Sequence, residues 1–125
     1  MSDRYERRTE ERLCYHWPVW FGEDFADVLT QGQMADVSSH AAAFTCYADG
    51  PNLHLGQHVT ARFSVPCYGP EDSFDMVDFV RSGHVCRVEA VSNQVRRVAI
   101  RFAEPLPFRP GEQAKTQTSL ADSQV

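Results

Sequence analysis

Several stretches of the chain alternate between apolar and polar residues, which is the pattern of β-strands with one buried face. In QHVTARFSV (57–65) every second residue from Val59 to Val65 is apolar. In QVRRVAIRF (94–102), Val98, Ile100 and Phe102 fall on one side, opposite arginines. GHVCRVEAV (83–91) comes just before it, and the dipeptide SN between them predicts a hairpin turn.

The earlier part of the chain has shorter apolar stretches. LCYHWPVWF (13–21) is rich in aromatic and β-branched residues and predicts a strand, in which Pro18 indicates an edge or a bulge. MADV (34–37) predicts a short strand, and PCYGPEDSFD (66–75) a loop. SSHAAAF fits a serine-capped helix, yet residues 41–47 also alternate and end at a turn signal, so we favour a strand.

About six short strands at close spacing predict an all-β fold, either a small antiparallel barrel or a sandwich. Residues 1–12 are polar without a hydrophobic period, and predict a flexible arm. Residues 109–125 follow a Pro-rich stretch and predict a turn or short helix and then a disordered tail. The strands fall between these ends, in a single domain over 13–108.

Composition narrows the class of protein. A chain of 125 residues suits one domain. Its net charge of -5 argues against binding to nucleic acid in general. No apolar run is long enough to cross a bilayer, and the N-terminus carries no secretory signal, so we expect a cytoplasmic protein without membrane insertion.

The basic residues are nearly all arginines, since Lys115 is the only lysine. Five arginines between residues 81 and 101 are opposed only by Glu89. Near the N-terminus, Arg8 and Arg12 lie four residues apart, a spacing at which like charges on a helix repel. Two interpretations are open. The segment is a solvated charged arm, as charge runs usually are, or it lies against an anion, because the planar guanidinium matches phosphates and guanine edges and predicts a local anion site on an acidic protein.

Metal and enzyme chemistry have little support in the sequence. The four cysteines contain no C-x-x-C pair, and we expect reduced thiols. His54 and His58 have the spacing of helical metal ligands, but Gly56 between them and the predicted turn give poor geometry. No nucleophile is accompanied by a convincing general base, so we expect neither an enzyme, nor a metal, nor a cofactor.

Two short motifs, in this order, point to a family. Arg8 and Arg12 form R-x-x-x-R ahead of the first strand, and DVSSHA (36–41) stands where the second and third strands meet. Together with the strand pattern over residues 5–105, this resembles the PilZ domain, a bacterial receptor module for cyclic di-GMP whose second motif is D/N-x-S-x-x-G. The resemblance implies a six-stranded antiparallel β-barrel.

The resemblance also implies a ligand site for cyclic di-GMP. Its two arginines would be Arg8 and Arg12, holding bases and phosphates, and Asp36 and Ser38 would contact a guanine. Arg7 would add a phosphate contact or influence how many ligands bind. The arm would be loose by itself and would close over the ligand.

The motif's last position is Ala41 instead of glycine. If that position needs a left-handed backbone, the strain is on the order of 1 kcal/mol. We expect this departure to affect the affinity and not the fold.

We therefore predict a cyclic di-GMP receptor or adaptor that passes its signal to an unidentified protein partner. The alternative is a degenerate PilZ domain that binds no nucleotide and acts only through protein–protein contacts.

Overall fold

The computed structural model describes residues 10–23, 29–69 and 73–113, and nearly all of its regular structure is antiparallel β-sheet. The strands are β1 (Leu13–Cys14), β2 (Pro18–Gly22), β3 (Thr30–Val37), β4 (Ala41–Tyr47), β5 (His58–Tyr68), β6 (Phe74–Ala90) and β7 (Val95–Phe102).

The sheet closes into a barrel. Its strand order is β1-β3-β2-β5-β6-β7-β4, and β3 also pairs with β4, so six strands form a ring. The two-residue strand β1 is an addition outside the ring, paired with the end of β3. The predicted six-stranded antiparallel barrel is therefore confirmed.

The inward faces of the strands form one hydrophobic core. The predicted alternation of β5 holds, because its apolar residues from Val59 to Val65 are at most 1% exposed. The rings of Phe63 and Phe102 stack inside the barrel with centroids 5.7 Å apart. Burying each such side chain contributes about 1.5–3 kcal/mol, so this core supplies the main stabilisation of the barrel.

Several strand boundaries differ from the predicted ones. The ambiguous segment 41–47 is a strand, as we favoured, because β3 and β7 pair with it on both sides. The segment 13–21 forms two strands separated by residues 15–17, and β2 begins at Pro18.

The predicted loop over 66–75 is wrong at both of its ends, and residues 70–72 lie outside the described residues. Strand β5 continues to Tyr68 and β6 begins at Phe74, so these strands form a long hairpin. Asp75 and Asp78 interrupt the apolar pattern because this end of β6 is exposed and pairs with β5 alone. Ser64, and then Arg62, hydrogen-bond to Asp78 and lower the pKa of its carboxyl group.

The chain after β7 packs back against the barrel. Leu106 and Pro110 are buried, and the ring of Phe108 lies 5.9 Å from that of Phe79. A helical turn begins at Pro110 and is described to Gln113, whose side chain bonds to Tyr68 and Pro66 of β5. The remainder of the predicted C-terminal tail lies outside the described residues.

Candidate ligand-binding site

The centre of the site is the carboxylate of Asp36, near the end of β3. Arg97 donates a hydrogen bond from Nη2 to Oδ2 of Asp36 at 2.6 Å, and Nη1 of Arg12 lies 3.5 Å from Oδ1. The Asp36 side chain is 10% exposed, whereas those of Arg12 and Arg97 are both 38% exposed. A largely buried carboxylate is thus paired with two guanidinium groups that are accessible to solvent.

An irregularity in β3 brings Asp36 to the outer face of the barrel. Met34 and Val37 are both fully buried although they are three residues apart, which strict alternation does not allow. The register between β3 and β4 shifts between Met34 and Asp36, a bulge that adds one residue. Asp36 therefore faces outward, directly opposite Ala43 of β4.

A tight turn joins β3 to β4. Ser38 N donates to the carbonyl of Ala41 at 2.8 Å, which leaves Ser39 and His40 at the tip of the turn. The hydroxyl oxygen of Ser38 accepts a bond from His40 N at 3.3 Å. Ala41 is the first residue of β4 and pairs with Arg101 of β7, so its backbone is extended in the way that alanine readily adopts.

The last residues of the N-terminal arm lie on this turn. The carboxylate of Glu10 accepts two hydrogen bonds from Ser39, one from its backbone N and one from its Oγ, both at 2.7 Å. Next to it, Gly111 packs against the backbone of Glu11 and Arg12, since a Cβ on Gly111 would lie 2.7 Å from the carbonyl carbon of each. Residues 10–12 are thus held by the turn on one side and by the C-terminal segment on the other.

The structure brings together four of the residues predicted from the sequence, namely Arg12, Asp36, Ser38 and Ala41. Arg7 and Arg8 lie outside the described residues. Glu10 and Arg97 are not among the predicted site residues. Arg97 belongs to the arginine-rich stretch of 81–101 and faces outward as its strand pattern predicts, and its pairing with Asp36 depends on the closure of the sheet.

Metal-binding geometry is not found in the described part of the chain, where no group of three or more His, Cys, Asp or Glu could hold an ion. His58 and His84 face each other across β5 and β6 with ring centroids 5.8 Å apart, but no third ligand joins them there. The four cysteines are free thiols, and burial raises the pKa of Cys46 and Cys67. No helix in the described ranges is long and apolar enough to span a membrane.

Comparison with known families decides the classification, since the PilZ domain family matches residues 6–117. The chain belongs to the PilZ domain family. Among solved structures, this PilZ domain is similar to the Bacillus subtilis inhibitor of motility (MotI/DgrA), with a TM-score of 0.63 and 16% sequence identity. The alignment covers 94% of this chain and 51% of that one, so the PilZ domain spans about half of that protein's length, and the likeness concerns the fold. A search of curated proteins gives no match.

Proposed function

We propose that this PilZ domain is a receptor for cyclic di-GMP, with Asp36 and the arginines around it as the centre of the site. The observation that carries the proposal is the pairing of Asp36 with Arg12, because it joins the two sequence motifs on one outer surface. Both guanidinium groups beside Asp36 are partly exposed, so a ligand can approach them.

The chemistry of this cluster suits a guanine dinucleotide. A carboxylate accepts hydrogen bonds from the N1–H and N2–H₂ groups of guanine, and a guanidinium donates two bonds to O6 and N7 or to phosphate oxygens. On binding, Asp36 exchanges its arginines for a guanine edge, and Arg12 turns to the bases and phosphates. Arg8 and Arg7 supply further positive charge from the arm, and Ser38, in the turn that ends at Ala41, contacts the same guanine as Asp36.

The output of such a domain is binding, so the proposed function is that of an adaptor. PilZ domains bind ligands and partners and do not catalyse reactions, and we assign no enzymatic role here. A protein effector would recognise the ligand-dependent arrangement of the arm.

A second candidate function is a protein-interaction module without a nucleotide. One observation favours it. Both oxygens of Asp36 already have a guanidinium partner, and Glu10 already occupies the backbone N–H of Ser39. A ligand must displace contacts that the chain makes with itself.

The test is calorimetric titration of cyclic di-GMP into the wild-type chain and into Arg8→Ala and Arg12→Ala. Each substitution is expected to weaken binding by about 1–3 kcal/mol, the value of one bidentate contact to a base. Arg62→Ala is the matched control, because Arg62 also pairs with an aspartate, Asp78, but on β5 and β6. Its affinity should equal that of the wild type.

Two results would change the assignment. Unchanged affinity in both motif variants would place the ligand elsewhere on the protein. The absence of any heat of binding at millimolar ligand would favour the protein-interaction module.

A further inference from the structure

A groove lies where β3 and β4 adjoin near Arg97, and it reaches from exposed residues of the outer face to the buried Cys46. Its volume is about 430 Å³, within the usual range of small-molecule sites. Strands β3, β4 and β7 form it. Its lining residues are Gln31, Gly32, Gln33, Thr45, Cys46, Tyr47 and Val95.

The register of the sheet connects this groove to the site around Asp36. Thr45 pairs with Gln33 on one side and with Arg97 on the other, so the side chain of Arg97 stands at the border of the groove. From that border its guanidinium extends to Asp36. The outward-facing lining residues of the groove and the Asp36 site therefore lie on the same outer surface, with Arg97 between them.

The lining of the groove has the chemistry that recognises nucleobases. Tyr47 is 69% exposed, so its ring is available for stacking on a flat base. Gln31 and Gln33 are exposed on the outer face of β3, and a glutamine amide can both donate to and accept from a base edge. The hydroxyl of Thr45 adds a further polar group to this surface.

Glycine at position 32 lets β3 lie close to its neighbours beneath the groove. A Cβ at Gly32 would be 2.6 Å from the carbonyl oxygen of Thr45 and 3.3 Å from the side chains of Val19 and Phe21. Any larger residue would push β3 away from β4 and change the shape of the groove.

We propose that this groove binds a purine base, as a second base position next to the guanine that Asp36 holds. The inference rests on the proposed function. In this arrangement Arg97 lies between the two base positions, where it can contact a phosphate that connects them. The base can belong to the same cyclic di-GMP molecule or to a second one. These sources share one chemistry, and the stoichiometry of binding separates them.

The experiment compares Tyr47→Ala, Tyr47→Phe and Leu55→Ala by calorimetric titration with cyclic di-GMP. Removal of the ring is expected to weaken binding at least about five-fold, the lower end of what one base–aromatic stack contributes. Tyr47→Phe keeps the ring and should bind as the wild type does. Leu55 is the matched control, because it is also 69% exposed but does not line the groove.

A second measurement records amide NMR spectra of the wild-type chain during titration with cyclic di-GMP and, separately, with 5′-GMP. We expect shifts at Gln33, Thr45 and Tyr47 as well as at Asp36. One ligand per chain, with both regions shifted, indicates two bases of one molecule, and two ligands per chain indicate a second molecule.

The results distinguish the two proposals. If cyclic di-GMP binds but Tyr47→Ala keeps the full affinity and the groove amides stay unshifted, the groove proposal is wrong and the receptor function stands. If cyclic di-GMP fails to bind while 5′-GMP shifts the groove amides, the groove remains a base site and the receptor function is wrong. If neither ligand shifts the groove, the groove proposal is overturned.

Discussion

At the scale of single residues, Asp36 shows how a buried charge is accommodated. A carboxylate removed from water is costly unless hydrogen bonds and opposite charges compensate it. Arg97 provides a direct bond at 2.6 Å and Arg12 a longer contact at 3.5 Å. Asp36 and Arg12 each belong to a sequence motif, so their meeting could be predicted from the sequence, whereas the contribution of Arg97 could not.

Among the described residues, Tyr15 is expected to respond strongly to pH. Its hydroxyl donates a hydrogen bond to the carbonyl of Ser64 at 2.6 Å, and burial raises its pKa above the ordinary value of 10. The pKa is raised in the folded state only, so the unfolded chain loses this proton first, at about pH 10. Below that pH the neutral tyrosine contributes its full stabilisation to the fold. That contribution is lost as the pH rises further.

The measurement is urea unfolding of the wild type and Tyr15→Phe between pH 8 and 11. At pH 8 the variant should be less stable by about 1 kcal/mol, the usual value of one hydrogen bond. Above pH 10 the difference between the two proteins should shrink, since only the wild type loses the contribution of this hydroxyl group. Parallel curves throughout would show that Tyr15 is not the titrating group.

At the scale of elements, the β3–β4 hairpin contains most of the candidate site, and both ends of the described chain pack near it. The strand assignment of β4 followed from its alternation, although its three alanines also suit a helix. The first half of β6 could not be predicted, because hydrophobic periodicity indicates a strand only where one face is buried. The packing of residues 110–113 beside Arg12 could not be predicted either, because Gly111 is the only indication of it in the sequence.

Gly111→Ala tests whether this C-terminal turn positions the arm. A methyl group there would collide with the carbonyl of Glu11 and would displace Arg12 from Asp36. We expect a loss of about 1–3 kcal/mol of stability, typical of overpacking, together with weaker binding of cyclic di-GMP. Urea unfolding and calorimetry measure the two effects.

Gly69→Ala is the control for that experiment, because among the described residues its Cβ would contact only Ser73, at 3.1 Å from the hydroxyl oxygen at the end of that side chain. It should leave the affinity unchanged. An unaltered affinity in Gly111→Ala as well would mean that the arm positions itself without the C-terminal segment.

At the scale of the whole molecule, closure of the barrel turns separate stretches of sequence into one surface. The barrel itself could be predicted from strand number, alternation and the two motifs. The pairing of β4 with β7 places Arg97 beside the second motif, and a single sequence shows the strands but not which edges meet. The pairing of Arg97 with Asp36 and the groove beyond it were therefore not predicted.

Because Arg12 and Arg97 share the carboxylate of Asp36, the affinity for the ligand should depend on ionic strength in a particular way. Salt screens the attraction between arginines and phosphates, and it also screens the attraction of Arg12 and Arg97 to Asp36. When a ligand replaces Asp36 as the partner of these arginines, the net electrostatic free energy of binding is the difference between two attractions that salt screens alike. We expect added salt to lower the affinity of the wild type for cyclic di-GMP less steeply than it lowers the affinity of Asp36→Asn. In that variant Arg12 and Arg97 are not paired with a carboxylate at position 36 before the ligand binds. A steeper fall in the wild type would contradict the exchange of partners at Asp36.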